Sequence, residues 1–318
     1  MGKIAILSRA TAPVRFQFED RADSSPKGGD VLIKQLAVGI NDIDVLDKNN
    51  PKGPSILGYE GCGVVEAIGE GVDGFRIGDR VAYAGGPPGA YCEYRCISQE
   101  YLVKVPVNID PKLVVASLFK GFIAHAITTK TFVVRSGTLA LVHDVAVSTG
   151  QIVAQFAEHR GARVLGTIKD EEEKVLAGIG CSDILHYSSP SLAKEVMQAT
   201  NNSGVHVVYD NLGRLTFGAS LASLVTFGVM VSYGCSTGYV GNFDLNVLGR
   251  KSLFLTIPSV FDYKSIRSEI ILTAAEIFDM LMQKMLQVSY KEYKFAQLEE
   301  AFGAVEKRQV KTSVVLTF

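Results

Sequence analysis

Six residues, Val145-Ala146-Val147-Ser148-Thr149-Gly150, join an apolar strand pattern (Thr138 to His143) to a helical one (Thr149 to Arg160). A strand that feeds straight into a helix leaves the first helical N–H groups without partners, and that end attracts anions, phosphate above all. Ser148 and Thr149 add hydroxyl donors there, and Gly150 lets the helix approach closely. The other reactive side chains are scattered. His125, His143, His159, His186 and His206 stand isolated, suggest no Ser/His/Asp triad and read as structural. Cys62, Cys92, Cys96, Cys181 and Cys235 are odd in number and irregular in spacing, unlike a disulfide framework or a four-sulfur zinc site. A reducing cytoplasm suits them.

The elements that position this turn change character along the chain. From Lys3 to about Ala116, Gly, Pro, Asn and Asp interrupt short β-branched runs at Val31 to Val38, Gly63 to Ile68, Arg80 to Tyr83 and Tyr91 to Ile97. This pattern predicts an irregular, barrel-like β domain. After about Pro111, strands alternate with helices: strands at Thr138–His143, Ala162–Ile168, Asp183–His186, Val205–Asp210 and Gly228–Gly234, and helices at Thr149–Arg160, Glu171–Gly178, Ser191–Thr200 and Leu215–Leu224. Parallel strands need crossover connections of this length, so the spacing predicts a doubly wound α/β sheet. A long helical pattern from Ile266 to Gln287 follows, then Tyr290–Phe295, a helix over Leu298–Lys307 and a final strand, Ser313–Phe318. That last strand needs a sheet, and we expect it to return to the first domain. The expected division is a substrate domain from 1–120 with 262–318, and a cofactor domain from 121–261.

The totals agree with two cores. Of 318 residues, 47% are hydrophobic and 20% charged, too long a chain for one comfortable core and too apolar for broad disorder. A net charge of -1 gives no general pull toward nucleic acid or anionic lipid. No run of about 18 apolar residues is read as membrane-spanning, and Met1 to Ala10 lacks the order of a secretory signal.

The segment Gly58-Tyr59-Glu60-Gly61-Cys62-Gly63-Val64-Val65-Glu66-Ala67-Ile68-Gly69-Glu70-Gly71-Val72 resembles the medium-chain dehydrogenase/reductase signature. Where zinc-dependent members place metal ligands, this chain has Asn41 and Tyr59, neither a usual zinc ligand, and Cys92 with Cys96 are too few for a structural zinc. Asn41 to Asp44, Gly78 to Ala84, Gly89-Ala90-Tyr91, Lys120-Gly121, Val208-Tyr209-Asp210 and Val231-Ser232-Tyr233-Gly234 are further landmarks. Together they make the chain similar to the zinc-free quinone oxidoreductases (zeta-crystallin-like). The resemblance implies a Rossmann doubly wound parallel sheet plus a GroES-like, partly open β-barrel domain, a homodimer, and NADPH as hydride donor to a quinone without metal or flavin. An enone or alkenal double-bond reductase needs the same donor beside a polarised carbonyl, and a catalytically weakened relative with a structural or RNA-binding role is a third reading.

The resemblance assigns the cofactor to Asn41, Ile123, Ser148, Thr149, Gly150, Lys174, Tyr187, Asn211, Tyr233, Gly234, Cys235, Ser236 and Arg308. Cys235 stands for an asparagine and Ile123 for a threonine. Asn41 is a candidate to hydrogen-bond the substrate carbonyl or ribose, or a turn residue beside Asp42. Tyr59 is a candidate proton donor, or a packed core tyrosine. Relatives carry Ala-Ala-Gly-Gly-Val-Gly where this chain has Val145 to Gly150, so the Cβ of Val147 either holds phosphate off or forces another turn, with Ser148 and Thr149 in compensation. NADPH is expected over NADH because Gly166-Thr167-Ile168-Lys169 lacks the acidic residue that would hold the ribose hydroxyls, although the acidic run Asp170 to Glu173 follows. Relatives have a tyrosine at the match to Leu46 and a longer loop than Asp47 to Pro54, so the substrate pocket differs.

Overall fold

The computed structural model describes residues 2–8, 14–21, 25–170, 179–263 and 266–318. Lys174 and the helix expected over Glu171–Gly178 lie outside the described residues. The first half of the chain forms β1 (Gly2–Ser8), β2 (Arg15–Arg21), β3 (Asp30–Ile40), α1 (Asp42–Asn49), β4 (Glu60–Ile68), β5 (Arg80–Ala84), β6 (Tyr94–Ser98), β7 (Val103–Lys104), α2 (Pro111–Ala126), β8 (Leu139–Val142) and α3 (Ser148–His159). Then come β9 (Arg163–Ile168), β10 (Cys181–His186), α4 (Leu192–Ala199), β11 (Val205–Asp210), α5 (Phe217–Ser223), β12 (Leu224–Ser232), α6 (Asn246–Gly249) and β13 (Phe254–Thr256). The chain closes with α7 (Val260–Tyr263), α8 (Arg267–Met282), β14 (Tyr290–Lys294), α9 (Leu298–Glu306) and β15 (Ser313–Thr317).

Two compact units result: Met1–Phe122 with Phe261–Gln283 and Val288–Phe318, and Ile123–Val260 with Lys284–Gln287. In the first, β14-β15-β3-β4-β5-β7 form a sheet to which β6 adds by pairing with β3, and β1 pairs with β2. The last strand, β15, lies antiparallel to β3, with Val315 opposite Gly39, so the C-terminus does return to the first sheet. Its core gathers Val31, Ile33, Leu57, Val81, Tyr91, Leu102, Phe302 and Leu316.

The second unit is a six-stranded sheet in the order β10-β9-β8-β11-β12-β13, with every adjacent pair parallel. Chain order therefore reverses between β8 and β11. In open α/β sheets of this order ligands bind outside the carboxyl ends of the strands at that point. Leu141, Leu165, Val205, Val208 and Met230 pack against Leu192, Val196 and Leu221 of the helices, the arrangement expected of strands covered by crossover connections.

Two departures from the sequence reading have physical causes. β12 begins at Leu224 instead of Gly228, because Val205 pairs with Leu224 and the register then shifts to Val207 opposite Val229. The shift passes through Phe227, at φ +63°, so only the regular part of the strand alternates. The helix α1 went unread because Asp42 and Asp44 look like turn residues, but acidic side chains suit a helix's first turn. Pro111–Thr131 is long and apolar enough to pass for a membrane-crossing segment by length and composition alone, but 72% of its 18-residue apolar window is buried inside the protein, as in a core helix, so it does not overturn the sequence reading.

Candidate functional site

In the second unit, the residues expected to bind a cofactor collect at the carboxyl ends of the strands. Val147 is the N-cap of α3, extended at φ -101° and ψ 155°, and its side chain gives the helix no cap. The N-terminal amides at Ser148 and Thr149 are thus left for an anion. Because Val147 sits in an ordinary region of backbone space, the turn does not require the glycine that relatives carry there. Gly150 is different: a Cβ would lie 2.2 Å from the Asp144 carbonyl oxygen. Its absence lets α3 pack onto the turn, a packing role more than a direct contact. Ser148 is buried, whereas Val147 and Thr149 are partly exposed.

At the ends of β11 and β12, the backbone closes into a second half-site. Ser236 N donates to Asn211 O (3.2 Å), Tyr233 N to Asp210 O (2.8 Å) and Thr237 N to Leu212 O (2.8 Å). Gly234 lies so near Asn211 O that a Cβ would come within 2.7 Å. Asn211 Oδ1, Tyr233 Oη and Ser236 Oγ are buried here without hydrogen-bond partners. Buried polar atoms are costly unless satisfied, so these three mark a place for a polar ligand, and with the uncapped helix they fit a dinucleotide. Burial first, and then Asp210 and Asp144, hold the Tyr233 phenol well above its ordinary pKa. It is therefore a neutral donor. Cys235 is partly exposed in the same loop.

Tyr187 and Lys169 stand at neighbouring strand ends, since Tyr187 N donates to Ile168 O (2.8 Å) and Ser188 Oγ to Lys169 O (2.5 Å). Ile123, partly buried on α2, has only carbon to offer. A buried network underlies the whole edge. His143 Nδ1 meets Thr167 Oγ1 and Nε2 meets Ser220 Oγ, both at 2.9 Å. Burial lowers the His143 pKa, with Asp210 opposing; the ring is neutral, and its 3.9 Å approach to Asp210 Oδ2 is not an ion pair.

In the first unit, Asn41, Glu60 and Lys120 form a buried cluster. Asn41 Nδ2 donates to Glu60 Oε1 (2.7 Å), Lys120 Nζ to Asn41 Oδ1 (2.8 Å) and Phe119 N to Glu60 Oε2 (3.1 Å). Burial raises the Glu60 pKa, and Lys120 is the strongest influence the other way. An amide nitrogen carries two donor hydrogens, and one of them is engaged by Glu60, so Asn41 keeps the other. Beside it, Asp44 accepts from Asn41 N (2.8 Å) and Gly58 N (2.9 Å), and burial pushes its carboxyl from 3.8 to about 7. The Tyr59 hydroxyl donates to the Asp47 carboxylate while its ring stacks edge-on with Phe261 at 5.4 Å. Burial and then that bond raise its pKa. Arg308 follows α9, exposed and at φ +54°. Among the described residues, no three His, Cys, Asp or Glu side chains are grouped to hold a metal.

Sequence reasoning gave no role of their own to Asp44, read only within the landmark Asn41 to Asp44, to Asp47, read as a loop residue, or to Thr167 and Ser220, which carry no motif. It set His143 aside as isolated, although its place immediately before the phosphate turn was a usable signal.

Comparison with known proteins agrees with this geometry. Residues 27–107 match the alcohol dehydrogenase GroES-like domain, and 148–271 match the domain described as zinc-binding dehydrogenase. A quinone oxidoreductase of Pseudomonas aeruginosa is 31% identical over 311 residues, 96% of each chain. A 2-haloacrylate reductase of a Burkholderia species is 32% identical over 327 residues, 98% of each. The crystal structure of Escherichia coli quinone oxidoreductase complexed with NADPH superposes with a TM-score of 0.91 at 27% identity, covering 100% of both chains. With its Rossmann sheet, its GroES-like domain and asparagine and tyrosine at the zinc positions, the chain belongs to the quinone oxidoreductase family of medium-chain dehydrogenase/reductases.

Proposed function

We propose that this protein is an NADPH-dependent oxidoreductase that passes hydride to a quinone. The observation that carries the reading is the trio of partnerless buried atoms, Asn211 Oδ1, Tyr233 Oη and Ser236 Oγ, beside the reversal point of a Rossmann sheet. The NADPH-bound relative and the quinone oxidoreductases of similar sequence support it. Bound here, the reduced nicotinamide would supply a hydride, and the protein's share is alignment and exclusion of water. The N-terminal amides of α3, with Ser148 and Thr149, would hold the pyrophosphate; Asn211, Tyr233, Gly234, Cys235 and Ser236 would hold the nicotinamide end. Lys169 and Tyr187, with Lys174, favour a 2′-phosphate. Ile123 and Arg308 complete the proposed set.

Asn41 and Tyr59 are proposed to meet the substrate's carbonyl. Asn41 has an amide hydrogen to spare. Tyr59 stays neutral because its pKa is raised, but its proton is already engaged by Asp47, so Asn41 carries the larger part. The similarity to a 2-haloacrylate reductase favours a second reading, reduction of a conjugated double bond. We further infer a cytoplasmic homodimer: the five cysteines are odd in number and scattered in spacing, and the edge strand β13 exposes Phe254, with Ile257 just beyond it.

Titration of the protein with NADPH and NADH, followed by nicotinamide fluorescence, tests the cofactor. Micromolar binding of NADPH and weaker binding of NADH is the expected result, and no binding at millimolar NADPH overturns the reading. Turnover of 1,4-benzoquinone, 9,10-phenanthrenequinone, simple alkenals and 2-haloacrylates then ranks the two substrate classes.

A further inference from the structure

The reversal point lies between β8 and β11, and the hydrogen bonds beneath it run in one direction. Asp210 accepts at Oδ1 from Leu212 N (2.8 Å) and Gly213 N (2.9 Å), and at Oδ2 from Thr216 Oγ1 (2.8 Å). Ser220 Oγ lies 3.0 Å from the same Oδ2. Two oxygens this close to a carboxylate need a proton between them, so Ser220 donates to Asp210 and presents a lone pair to His143 Nε2, 2.9 Å away. Nε2 therefore bears the imidazole hydrogen. Nδ1, without one, accepts from Thr167 Oγ1 (2.9 Å), which in turn accepts from Asp144 N (3.3 Å). Ser220 Oγ also reaches Thr216 O (2.9 Å), but giving its proton there would leave its lone pair facing the carboxylate. Thr167, His143, Asp210 and Ser220 are all fully buried, so water does not compete for these bonds, and buried chains of this kind gain rigidity from complete satisfaction.

We propose that Thr167, His143 and Ser220 are positioning residues that tie the phosphate turn at Asp144 to the nicotinamide loop at Leu212 and Gly213, so that both ends of the dinucleotide meet preformed half-sites. The proposal rests on the NADPH reading above. Joining two binding fragments gains affinity only when the half-sites are held at the spacing of the linked ligand. Loss of the relay therefore weakens the whole dinucleotide more than either part.

The test uses Thr167→Val, which keeps the shape of the side chain and removes its hydroxyl, Thr167→Ser, which retains the hydroxyl, and Ser220→Ala. Calorimetry measures NADPH, 2′,5′-ADP and reduced nicotinamide mononucleotide. We expect T167V and S220A to weaken NADPH about tenfold, the scale of one buried hydrogen bond, the double variant to be no worse than either, and T167S to bind as the parent does. Each fragment alone should change less than about twofold, as expected when only their relative placement is lost. Fragment affinities falling in parallel with NADPH, or NADPH unchanged, would overturn the relay. Failure of the parent to bind NADPH would instead overturn the cofactor reading. Long-range proton–nitrogen correlation spectra of the parent give a readout without ligand: the His143 hydrogen should be on Nε2, and a hydrogen on Nδ1 refutes the direction of the chain.

Discussion

Lys120→Met should be a costly change in the first unit. Glu60 is 1% exposed and Lys120 7%, and the lysine is the largest influence opposing the burial that raises the Glu60 carboxyl. Its loss leaves Glu60 with Asn41 Nδ2 and Phe119 N alone and strips Asn41 Oδ1 of its donor. Breaking a buried charge pair by removing one partner costs about 3 to 5 kcal/mol, which for a domain of this size is a fall of about 6 to 20 °C in Tm. Glu60 is raised from its ordinary value near 4.5, and without Lys120 it rises further. A carboxyl with a raised folded pKa favours the folded state most below its unfolded pKa and loses that contribution as pH climbs through the folded one. The deficit of the variant should therefore be small in acid and grow toward alkaline pH. Adding Glu60→Gln removes the stranded charge and should recover about 2 kcal/mol or more. Urea unfolding at several pH values measures all three chains; a K120M cost below about 1 kcal/mol, the size of a surface pair, or one independent of pH, refutes the argument.

Gly150→Ala places a Cβ 2.2 Å from a backbone oxygen, which cannot rotate away; we expect a loss of at least about 1 to 3 kcal/mol and weaker NADPH binding, and an unchanged melting temperature would show that the turn has room to shift. Carbon-detected NMR should find Asp44 titrating near 7, so its contribution to stability is present below about 4 and falls away as pH rises through about 7; a midpoint below 5 removes the burial argument. Among the cysteines, burial pushes Cys62 and Cys181 up to about 12 and Cys92 to about 11, so N-ethylmaleimide should label the partly exposed Cys235 ahead of those three, with NADPH slowing it; equal rates with and without NADPH, read by peptide mass, would place Cys235 outside the cofactor's reach.

The fold was legible where periodicity and burial agree. Val205–Asp210 was read to the residue because a central parallel strand is buried on both faces and bounded by Gly204 and Asn211. The helix α2 was not read, since a helix apolar over most of its circumference has no stripe to betray its period, and the bulge at Phe227 concealed the start of β12. The places of Ser148, Asn211 and Ser236 at helix and strand ends were legible because backbone geometry is tied to sequence order. The polar partners were not, because Thr167, Ser220 and Asp47 owe their roles to contacts across the fold.

The altered phosphate turn shows what that difference means. Relatives place glycine at the match to Val147, and sequence alone leaves open whether valine blocks the turn or distorts it. Its backbone angles, φ -101° and ψ 155°, are ordinary for a residue with a Cβ, so valine imposes no backbone strain. The steric demand is concentrated at Gly150, whose Cβ has no room against Asp144 O. The glycine retained is the one that packing requires; the two replaced are Val147, partly exposed, and Ser148, buried at the head of α3. The amides that attract phosphate belong to the helix backbone, and the buried bonds of His143 and Asp210 hold that backbone from below. Anion binding in such a turn depends on how rigidly the amides are aimed, which is why the fate of this site turns on the network beneath it as much as on the missing glycines.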